Sequence, residues 1–428
     1  MPQWGCIADD VTGATDLATN LVSRGLRTKV ALGVPDEAAI ASAATDLADT
    51  DAVVVALKTR TAPVDQAVDE SLAALRLLLA AGADHTYVKY CSTFDSTPRG
   101  NIGPIIDAVM TARRADLTVV VPSFPAAGRT VYQGHLFVND QLLSESAMRH
   151  HPLTPMRDSS LPRLLGPQTT GTVTLVALPV VRRGADALRA ALQAVPRPGE
   201  RVSVVVDALT VDDLRVIAEA TSGLAVVTGG SGLALGLHGP GGEADARRIP
   251  VHDGRRAVLC GSASERTRAQ IAHGRARLPW RKLDVAALRA DADAQVAGLV
   301  SWAAQLWADD PAAVPLVFSV DSLDDVVSDP EASELVEHAL AGVARGLVAH
   351  GARQLVVAGG ESSGRVLAEL GVGTLRIGPE IASGVAWAEG VTADGTALDL
   401  ALKSGNFGEP DMFTTAWDRL TVPAGAAR

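Results

Sequence analysis

The sequence predicts an α/β protein of two domains, each built on a mainly parallel sheet flanked by helices, with an active site in the cleft between them. Three observations predict it. Short apolar strands alternate with segments of helical period almost throughout the 428 residues, the pattern of a parallel sheet covered on both faces. The alternation lapses over Leu237–Arg256, where Gly239, Pro240, Gly241 and Gly242 precede mixed charges, and then restarts. The chain is also too long for one core, since domains run to roughly 100–200 residues. The expected division is 1–238, a linker over 239–256, and 257–428.

Taken in order, Trp4–Ile7 reads as a strand, and Ala14, Leu17, Ala18, Leu21 and Val22 follow helical spacing up to a terminating Gly25. Ala52–Leu57 is the next strand, followed by a helix carrying Val68, Leu72, Leu75 and Leu79 on one face. Thr86–Tyr90 is a strand, Ile102 to Met110 a helix, and Leu117–Val121 a strand. Phe124–Gln168 breaks the alternation and is too long for an idle connection, which predicts a structured insertion lining the site. Further strands are expected at Val173–Ala177, Ser203–Val206 and Ala225–Val227. The second half offers Ala257–Cys260, Leu316–Phe318, Gln354–Ala358 and Leu375–Ile377, with closing strands at Val385–Ala388 and Leu398–Leu402.

Composition bounds the function. With 47% hydrophobic and 20% charged residues the chain is of the soluble globular class. A net charge of -11 argues against a broad nucleic-acid or membrane surface, so an anionic ligand must be held by a few local cations and backbone amides. Cys6, Cys91 and Cys260 lack metal-type spacing and read as reduced thiols of a cytoplasmic enzyme. No signal peptide and no apolar run of roughly 18–20 residues is present.

Three strand ends in the first half carry polar chemistry. The first delivers Asp9, Asp10 and Thr12, ahead of Gly13 and Asp16; capping of the next helix explains Asp10 or Thr12 as well as ligand binding does. The second delivers Lys58, Thr59 and Arg60, and the third Lys89, Ser92 and Asp95. A small carboxylic acid with several hydroxyls suits such a set, with cations for the carboxylate and aspartates and hydroxyls for the rest. Arg129 and the stretch from Met148 to Met156 are expected on the cleft wall; His150 and His151 have no third partner at zinc-like spacing, so no metal site is assigned. The Thr228–Gly232 run serves a ligand or simply a tight strand–helix turn.

The second half repeats another logic: a strand, then small polar residues, then a helix. It occurs at Gly261-Ser262-Ala263-Ser264 and at Gly359-Gly360-Glu361-Ser362-Ser363-Gly364, the latter ahead of a helix over Arg365–Leu370. Free N–H groups at a helix start suit phosphate. Lys403-Ser404-Gly405-Asn406-Phe407-Gly408 is a third small-residue loop, whose lysine either neutralises phosphate or lies exposed at a strand end. Neither a Gly-Lys-Ser/Thr P-loop nor a G-x-G-x-x-G fingerprint is present.

Six motifs in order, IADDVTGATDLA (7–18), KYCSTFDST (89–97), TGGSGLA (228–234), GSASERT (261–267), GGESSG (359–364) and KSGNFG (403–408), resemble the four-carbon acid sugar kinase family across essentially the whole chain. Arg129–Asp158, with YQGHLF and HHPLTPMRDS, resembles the branch acting on 3-oxo-tetronates more than the D-threonate or D-erythronate branches. The resemblance implies an N-terminal substrate domain, a C-terminal ATP domain, and Mg²⁺-dependent phosphoryl transfer to a terminal 4-hydroxyl. It carries nucleotide contacts to Ser262, Ser264, Gly359, Gly360, Glu361, Ser362, Ser363 and Gly405, with Asn406 beside them. Ser362 stands where relatives more often have threonine, and Ala263 where they often have cysteine. Within this reading Lys89 and Arg60 serve the substrate carboxylate, Asp10 is the first choice to orient or deprotonate the acceptor, and Asp95 the second. Domain closure about the linker would exclude water. Expected partners are the sugar acid and ATP, with neither nucleic acid nor membrane, and a homodimer left open. A nucleotide or sugar-acid sensor is the rival class.

Overall fold

The computed structural model describes residues 1, 3–151, 154–197, 199, 201–322, 325, 329–382 and 384–420. Within it the chain forms two compact units, one over Met1–Ala246 and the other beginning at Arg247.

The first unit contains strands β1 (Trp4–Ala8), β2 (Thr28–Leu32), β3 (Ala52–Ala56), β4 (His85–Lys89), β5 (Leu117–Val121), β6 (Arg129–Tyr132), β7 (His135–Val138), β8 (Gln141–Leu142), β9 (Thr172–Val176), β10 (Val202–Val206) and β11 (Val226–Gly229). Its longer helices are α1 (Val11–Ser23), α2 (Ile40–Leu47), α3 (Val64–Ala80), α4 (Ile102–Ala112), α5 (Ala185–Gln193) and α6 (Val211–Ala220). The main sheet runs β2-β3-β1-β4-β11-β5-β10-β9 and is parallel throughout. Strands β1, β3, β5 and β10 are buried along their whole length, as continuous apolar runs between two helical layers must be.

The sequence reading missed β2 and α2. Thr28–Leu32 carries Lys29 among its five residues, so it lacks the unbroken apolar run of its neighbours. The face of α3 also differs from expectation. Its buried stripe is Ala67, Ser71, Ala74, Leu75, Leu77 and Leu78, whereas Leu79 is 39% exposed. The small residues Ala67, Ser71 and Ala74, spaced four and three apart, let the helix lie close to its neighbours, and the larger Leu79 falls outside that face.

The predicted insertion is a structured one. Strands β6, β7 and β8 form a separate antiparallel sheet. Tyr132 pairs with His135 across a two-residue turn in which Gln133 and Gly134 have φ of 51° and 70°, the left-handed pair that a tight hairpin requires. The buried Asp207 carboxylate fixes that turn by accepting the Gln133 and Gly134 N–H groups at 2.7 and 2.9 Å. Pro152 and Leu153, in the predicted cleft-wall stretch, lie outside the described residues.

The second unit contains β12 (Arg255–Cys260), β13 (Trp280–Lys282), β14 (Leu316–Phe318), β15 (Ala352–Ala358), β16 (Thr374–Ala382), β17 (Val385–Val391) and β18 (Ala397–Lys403). Its longer helices are α7 (Glu265–Arg275), α8 (Ala292–Asp309), α9 (Pro330–Ala349) and α10 (Gly360–Leu370). The order β13-β14-β12-β15-β18-β17-β16 is parallel through β18, with β17 and β16 antiparallel at the end. The core packs Val258, Cys260, Ile271, Phe318, Val356, Trp387 and Phe413 together. β13 escaped the sequence reading because Trp280-Arg281-Lys282 is short and charged. Cys6, Cys91 and Cys260 are free thiols, and burial pushes all three up, Cys91 to about 11. Among the described residues no helix is long and apolar enough to cross a membrane.

Candidate active site

β1 lies between β3 and β4, and the three strands end level: Ala8 pairs with Ala56 on one side and Lys89 on the other. The unpredicted β2 lies outside β3 and does not intervene. The segments after these ends therefore meet. Asp9 N–H donates to the Lys89 carbonyl at 3.2 Å, and the Asp9 carbonyl accepts from Thr59 and Arg60 N–H at 3.0 and 3.3 Å. Ligands of open α/β sheets bind at such carboxyl ends.

Onto this frame the side chains build a four-membered ionic cluster. Arg60 grips Asp9 with two nitrogens, Nε to Oδ2 at 2.8 Å and Nη2 to Oδ1 at 3.0 Å, and reaches Asp10 Oδ2 at 3.1 Å. Lys89 Nζ lies 3.5 Å from Asp9 Oδ1 and 3.4 Å from Asp10 Oδ1. The two cations expected for a substrate carboxylate are thus both already opposite protein carboxylates. Exposure separates their places: the side chains of Lys89 and Asp9 are 4% and 11% exposed, those of Arg60 and Asp10 24% and 32%. Lys89 faces inward; Arg60 and Asp10 form the outer surface.

Asp10 does two things at once. It is the N-cap of α1, accepting Gly13 N–H at 2.8 Å, and a member of the cluster. Burial pushes its pKa up, but Lys89 and Arg60 outweigh burial and hold it below the ordinary carboxyl value. Lys89, wholly enclosed, is discouraged from charging by burial, yet Asp10 and Asp9 keep its pKa above the ordinary value. Gly13 leaves room for both: a Cβ would sit 1.6 Å from Lys89 Nζ and 2.3 Å from Asp10 Oδ1, so one of these side chains would have to shift.

Asp95 is buried, accepts from Thr93 Oγ1 at 2.6 Å and lies 4.0 Å from Arg60 Nη1. With Asp9, Arg60, Lys89 and Asn101 it borders a cavity of about 20 Å³, far too small for a four-carbon acid. Asn101 went unrecognised in the sequence. Its Nδ2 donates to the Thr59 and Ala62 carbonyls at 2.6 and 2.8 Å, bracing the turn that carries Arg60. Asp16, one helical turn beyond Thr12, accepts a hydrogen bond from Ser231 Oγ, and burial raises its pKa. That bond gives the Thr228–Gly232 run a structural role. Ser92 backs onto Gly230, whose Cβ would lie 3.2 Å from it.

Two predicted cations stand apart. Lys58 is exposed, and among the described residues it has no ion pair. Arg129 donates from Nη1 to the Ala127 carbonyl at 2.5 Å, and its buried Nε has no hydrogen-bond partner among the described residues. Its charge acts on Asp16, as do those of Lys89 and Asp10, so Arg129 is a guanidinium within electrostatic reach of the cluster that pairs with no carboxylate among the described residues. His151 Nδ1 accepts from Thr154 N–H at 3.1 Å and is hydrogen-bonded to Thr154 Oγ1 at 2.9 Å. Among the described residues no group of three or more His, Cys, Asp or Glu is placed to hold an ion.

The second unit repeats the level-ended triplet. β12, β15 and β18 are adjacent, with Cys260 opposite Ala358 and Ala358 opposite Lys403, so the three small-residue loops converge. Gly261 and Ser262 N–H donate to the Ala358 carbonyl at 2.9 and 3.2 Å, and Gly359 N–H to the Lys403 carbonyl at 2.9 Å. A Cβ on Gly261 would lie 2.1 Å from Ser362 Oγ, and one on Gly405 would lie 2.7 Å from Ser262 Oγ. Ser264 caps α7 and donates to the Gly405 carbonyl at 2.5 Å.

The predicted Gly359–Gly364 loop is corrected. α10 begins at Gly360, not at Arg365, because Gly359 with φ 130° turns the strand directly into the helix. Gly360, Glu361 and Ser362 are thus first-turn residues with free N–H groups. Ser363 Oγ points inward to the Val357 carbonyl at 3.3 Å and its N–H donates to the Gly359 carbonyl at 2.9 Å, so both of its donors are taken up within the protein. Glu361 and Asn406 are exposed. Lys403 is not an exposed strand-end lysine: its Nζ is buried against Thr267 and Gly405. Beside Gly261 and Ala263 opens a slot of about 140 Å³ with Val285, Val320, Ala332 and Val336 on its apolar wall and Ser319, Ser333, Asp325 and Glu337 as its polar lining.

Such a chain belongs to the class of small-molecule enzymes that pair one α/β unit for a polar acceptor with another for a phosphate donor. Residues 4–237 match the model of a sugar-binding N-terminal domain, and residues 257–413 that of a nucleotide-binding C-terminal domain. The chain is 46% identical to the 3-oxo-tetronate kinase of Cupriavidus necator over 98% of its own length and 97% of that protein's. It is 46% identical to the 3-oxo-tetronate kinase of Burkholderia multivorans, covering 97% and 96% respectively. Among solved structures, a Salmonella typhimurium LT2 protein described as a putative tRNA synthase superposes with a TM-score of 0.87 at 39% identity, covering 99% of this chain and all of that one. The chain belongs to the four-carbon acid sugar kinase family that these two domains and these relatives define.

Proposed function

We propose that the protein transfers the γ-phosphoryl group of ATP to the 4-hydroxyl of a 3-oxo-tetronate. The observation that carries this reading is 46% identity over nearly the whole chain to relatives named for that activity. The acceptor O–H loses its proton as its oxygen bonds to phosphorus, the bond to the β-phosphate oxygen breaks, and ADP leaves. Such a transfer asks the protein for positioning and charge rather than covalent chemistry.

The acid meets the outer surface of the ionic cluster, since the cavity behind it is too small. Arg129, which has no carboxylate partner among the described residues, is the first cation for the substrate carboxylate, with Arg60 second; Lys58 and the Thr12 and Ser92 hydroxyls complete the rim. Asp10, held ionised by Lys89 and Arg60, accepts a hydrogen bond from the 4-hydroxyl and takes its proton late, as a weak base suits a loose transition state. Asp95 is the second choice. Asp9, Lys89 and Asn101 are positioning residues.

The phosphates lie on the free N–H groups of Gly360, Glu361 and Ser362 at the start of α10, with Ser262, Ser264, Gly359 and Ser363 shaping the loops around them and Gly405 and Asn406 closing the third side. The slot beside Gly261 takes the adenine, the ring against Val285, Val320, Ala332 and Val336. Mg²⁺ fits this donor set as a companion of the nucleotide: it is ordinarily held by phosphates and one or two carboxylates, and Glu361 is the carboxylate the loops offer. When bound it neutralises charge developing on the phosphates. Free thiols and an acidic surface suit a cytoplasmic enzyme.

The test is ADP release from Mg-ATP against 3-oxo-tetronates, D-threonate and D-erythronate. Turnover confined to a 3-oxo acid supports the reading. Turnover only with a 3-hydroxy acid moves the protein to a sister branch, and silence across the panel with retained ATP binding favours a sensor.

A further inference from the structure

Lys403, the last residue of β18, is 1% exposed. Its Nζ donates to the Gly405 carbonyl at 3.0 Å and to Thr267 Oγ1 at 2.8 Å. Ser264 Oγ and Thr267 Oγ1 bond the same carbonyl at 2.5 and 3.0 Å. Every one of these partners is neutral, and among the described residues no carboxylate pairs with this lysine. The other titratable or charged groups acting on it are the Cys260 thiol from β12, kept neutral by burial, and the Arg266 guanidinium from α7, a like charge. An ammonium enclosed without a counter-charge is pushed toward its neutral form. Burial pulls the Lys403 pKa down to about 8.

The place matters as much as the charge. The Gly405 turn packs on Ser262 and Ser264, where a Cβ on Gly405 would lie 2.7 Å from Ser262 Oγ and 2.9 Å from Ser264 Cβ. A carbonyl oxygen turned outward at that point would repel a phosphate, and Lys403, Thr267 and Ser264 together hold it inward.

We propose, on the nucleotide reading above, that Lys403 is a positioning residue and the proton-coupled counter-charge of the phosphate loops: it fixes the Gly405 carbonyl inward, and a bound polyphosphate draws a proton from solvent onto its amine. No covalent bond changes; the amine gains one proton from water or buffer. Proton and nucleotide binding then favour each other reciprocally, so nucleotide affinity falls as pH rises through about 8.

The experiment is calorimetric titration of the full-length protein with ADP in buffers of different ionisation heat. The wild type is expected to take up about half a proton per ADP at about pH 8, and about a tenth at about pH 7, as a group of that pKa must. Lys403→Arg and Lys403→Met are expected to bind ADP with no uptake at the higher pH. A merely structural lysine would leave the proton count at zero in the wild type too. ADP binding by the wild type without uptake overturns the role of Lys403 alone, as does uptake that persists in Lys403→Met. Absence of ADP binding overturns the nucleotide reading together with it.

Discussion

Arg60 and Lys89 divide Asp9 between them: the Arg60 fork holds both carboxylate oxygens at 2.8 and 3.0 Å, while Lys89 Nζ stands 3.5 Å from Oδ1 on the inner side. Two carboxylates and two cations are thereby balanced at the end of β1. Removing one member of a buried set leaves the others uncompensated, at about 3–5 kcal/mol. Lys89→Met is therefore expected to lower unfolding stability by about that amount, read from urea denaturation. A loss below about 1 kcal/mol, the range of surface pairs, would show that the cluster is not held from inside.

Gly13→Ala tests the same cluster from the backbone. The new methyl would occupy the space 1.6 Å from Lys89 Nζ, so Lys89 or Asp10 must move, although alanine is the better helix former. Turnover is expected to fall by about a hundredfold or more, as misplacement of about an ångström can cost, with ADP binding unchanged by calorimetry. Normal turnover would mean that the spacing of Lys89 and Asp10 is not needed.

Substitutions at Asp10 separate its two roles. Asparagine caps a helix about as well as aspartate does, so Asp10→Asn should keep most of the capping contribution yet lose turnover by about a hundredfold or more. Asp10→Ala should lose turnover similarly and be about 1 kcal/mol less stable than Asp10→Asn, both variants having taken a carboxylate from Arg60 and Lys89. Near-normal turnover in Asp10→Asn would remove Asp10 from the acceptor site and promote Asp95.

Arg129→Ala is expected to raise KM for the acid by about ten- to a hundredfold, the worth of a charge-assisted hydrogen bond, without altering ADP affinity. Its buried Nε has no partner to lose among the described residues, and the bond from Nη1 to the Ala127 carbonyl is the one given up, so stability should fall by about 1 kcal/mol. An unchanged KM would return the carboxylate to Arg60.

The pH dependence of stability is set by opposite shifts in two neighbours. Burial raises the Asp16 pKa above its unfolded value, so its contribution is present below the ordinary carboxyl range and lost as pH rises through the raised value. Asp16→Asn is expected to stabilise the protein at neutral pH and not at about pH 3. Asp10 runs the other way: with its pKa held low, its contribution is present above the ordinary value and lost on acidification. Urea midpoints at both pH values check the first claim, and an equal gain at each would contradict it.

The strand ends were legible because β1, β3, β4, β12 and β15 are short apolar runs that stop abruptly at polar or glycine residues. Their adjacency was legible only in part. β2 was invisible, and the three polar ends meet because it falls outside β3. The partners of the charges were not legible at all. Whether Lys89 faces Asp10 or a substrate, and whether Lys403 is exposed or buried, depends on contacts 79 and 136 residues away in the chain. Asn101 was missed for the same reason, since its bond to Thr59 spans 42 residues. The helix start at Gly360 was misplaced because glycine and serine read as loop, while the positive φ of Gly359 makes a loop unnecessary.

The most direct measurement is two-dimensional ³¹P–¹H NMR of the product formed from Mg-ATP and a 3-oxo-tetronate. A new phosphorus signal correlated with the C4 methylene protons is the predicted result. Phosphate on the C2 oxygen or the carboxylate, or inorganic phosphate alone, would contradict transfer to the terminal hydroxyl.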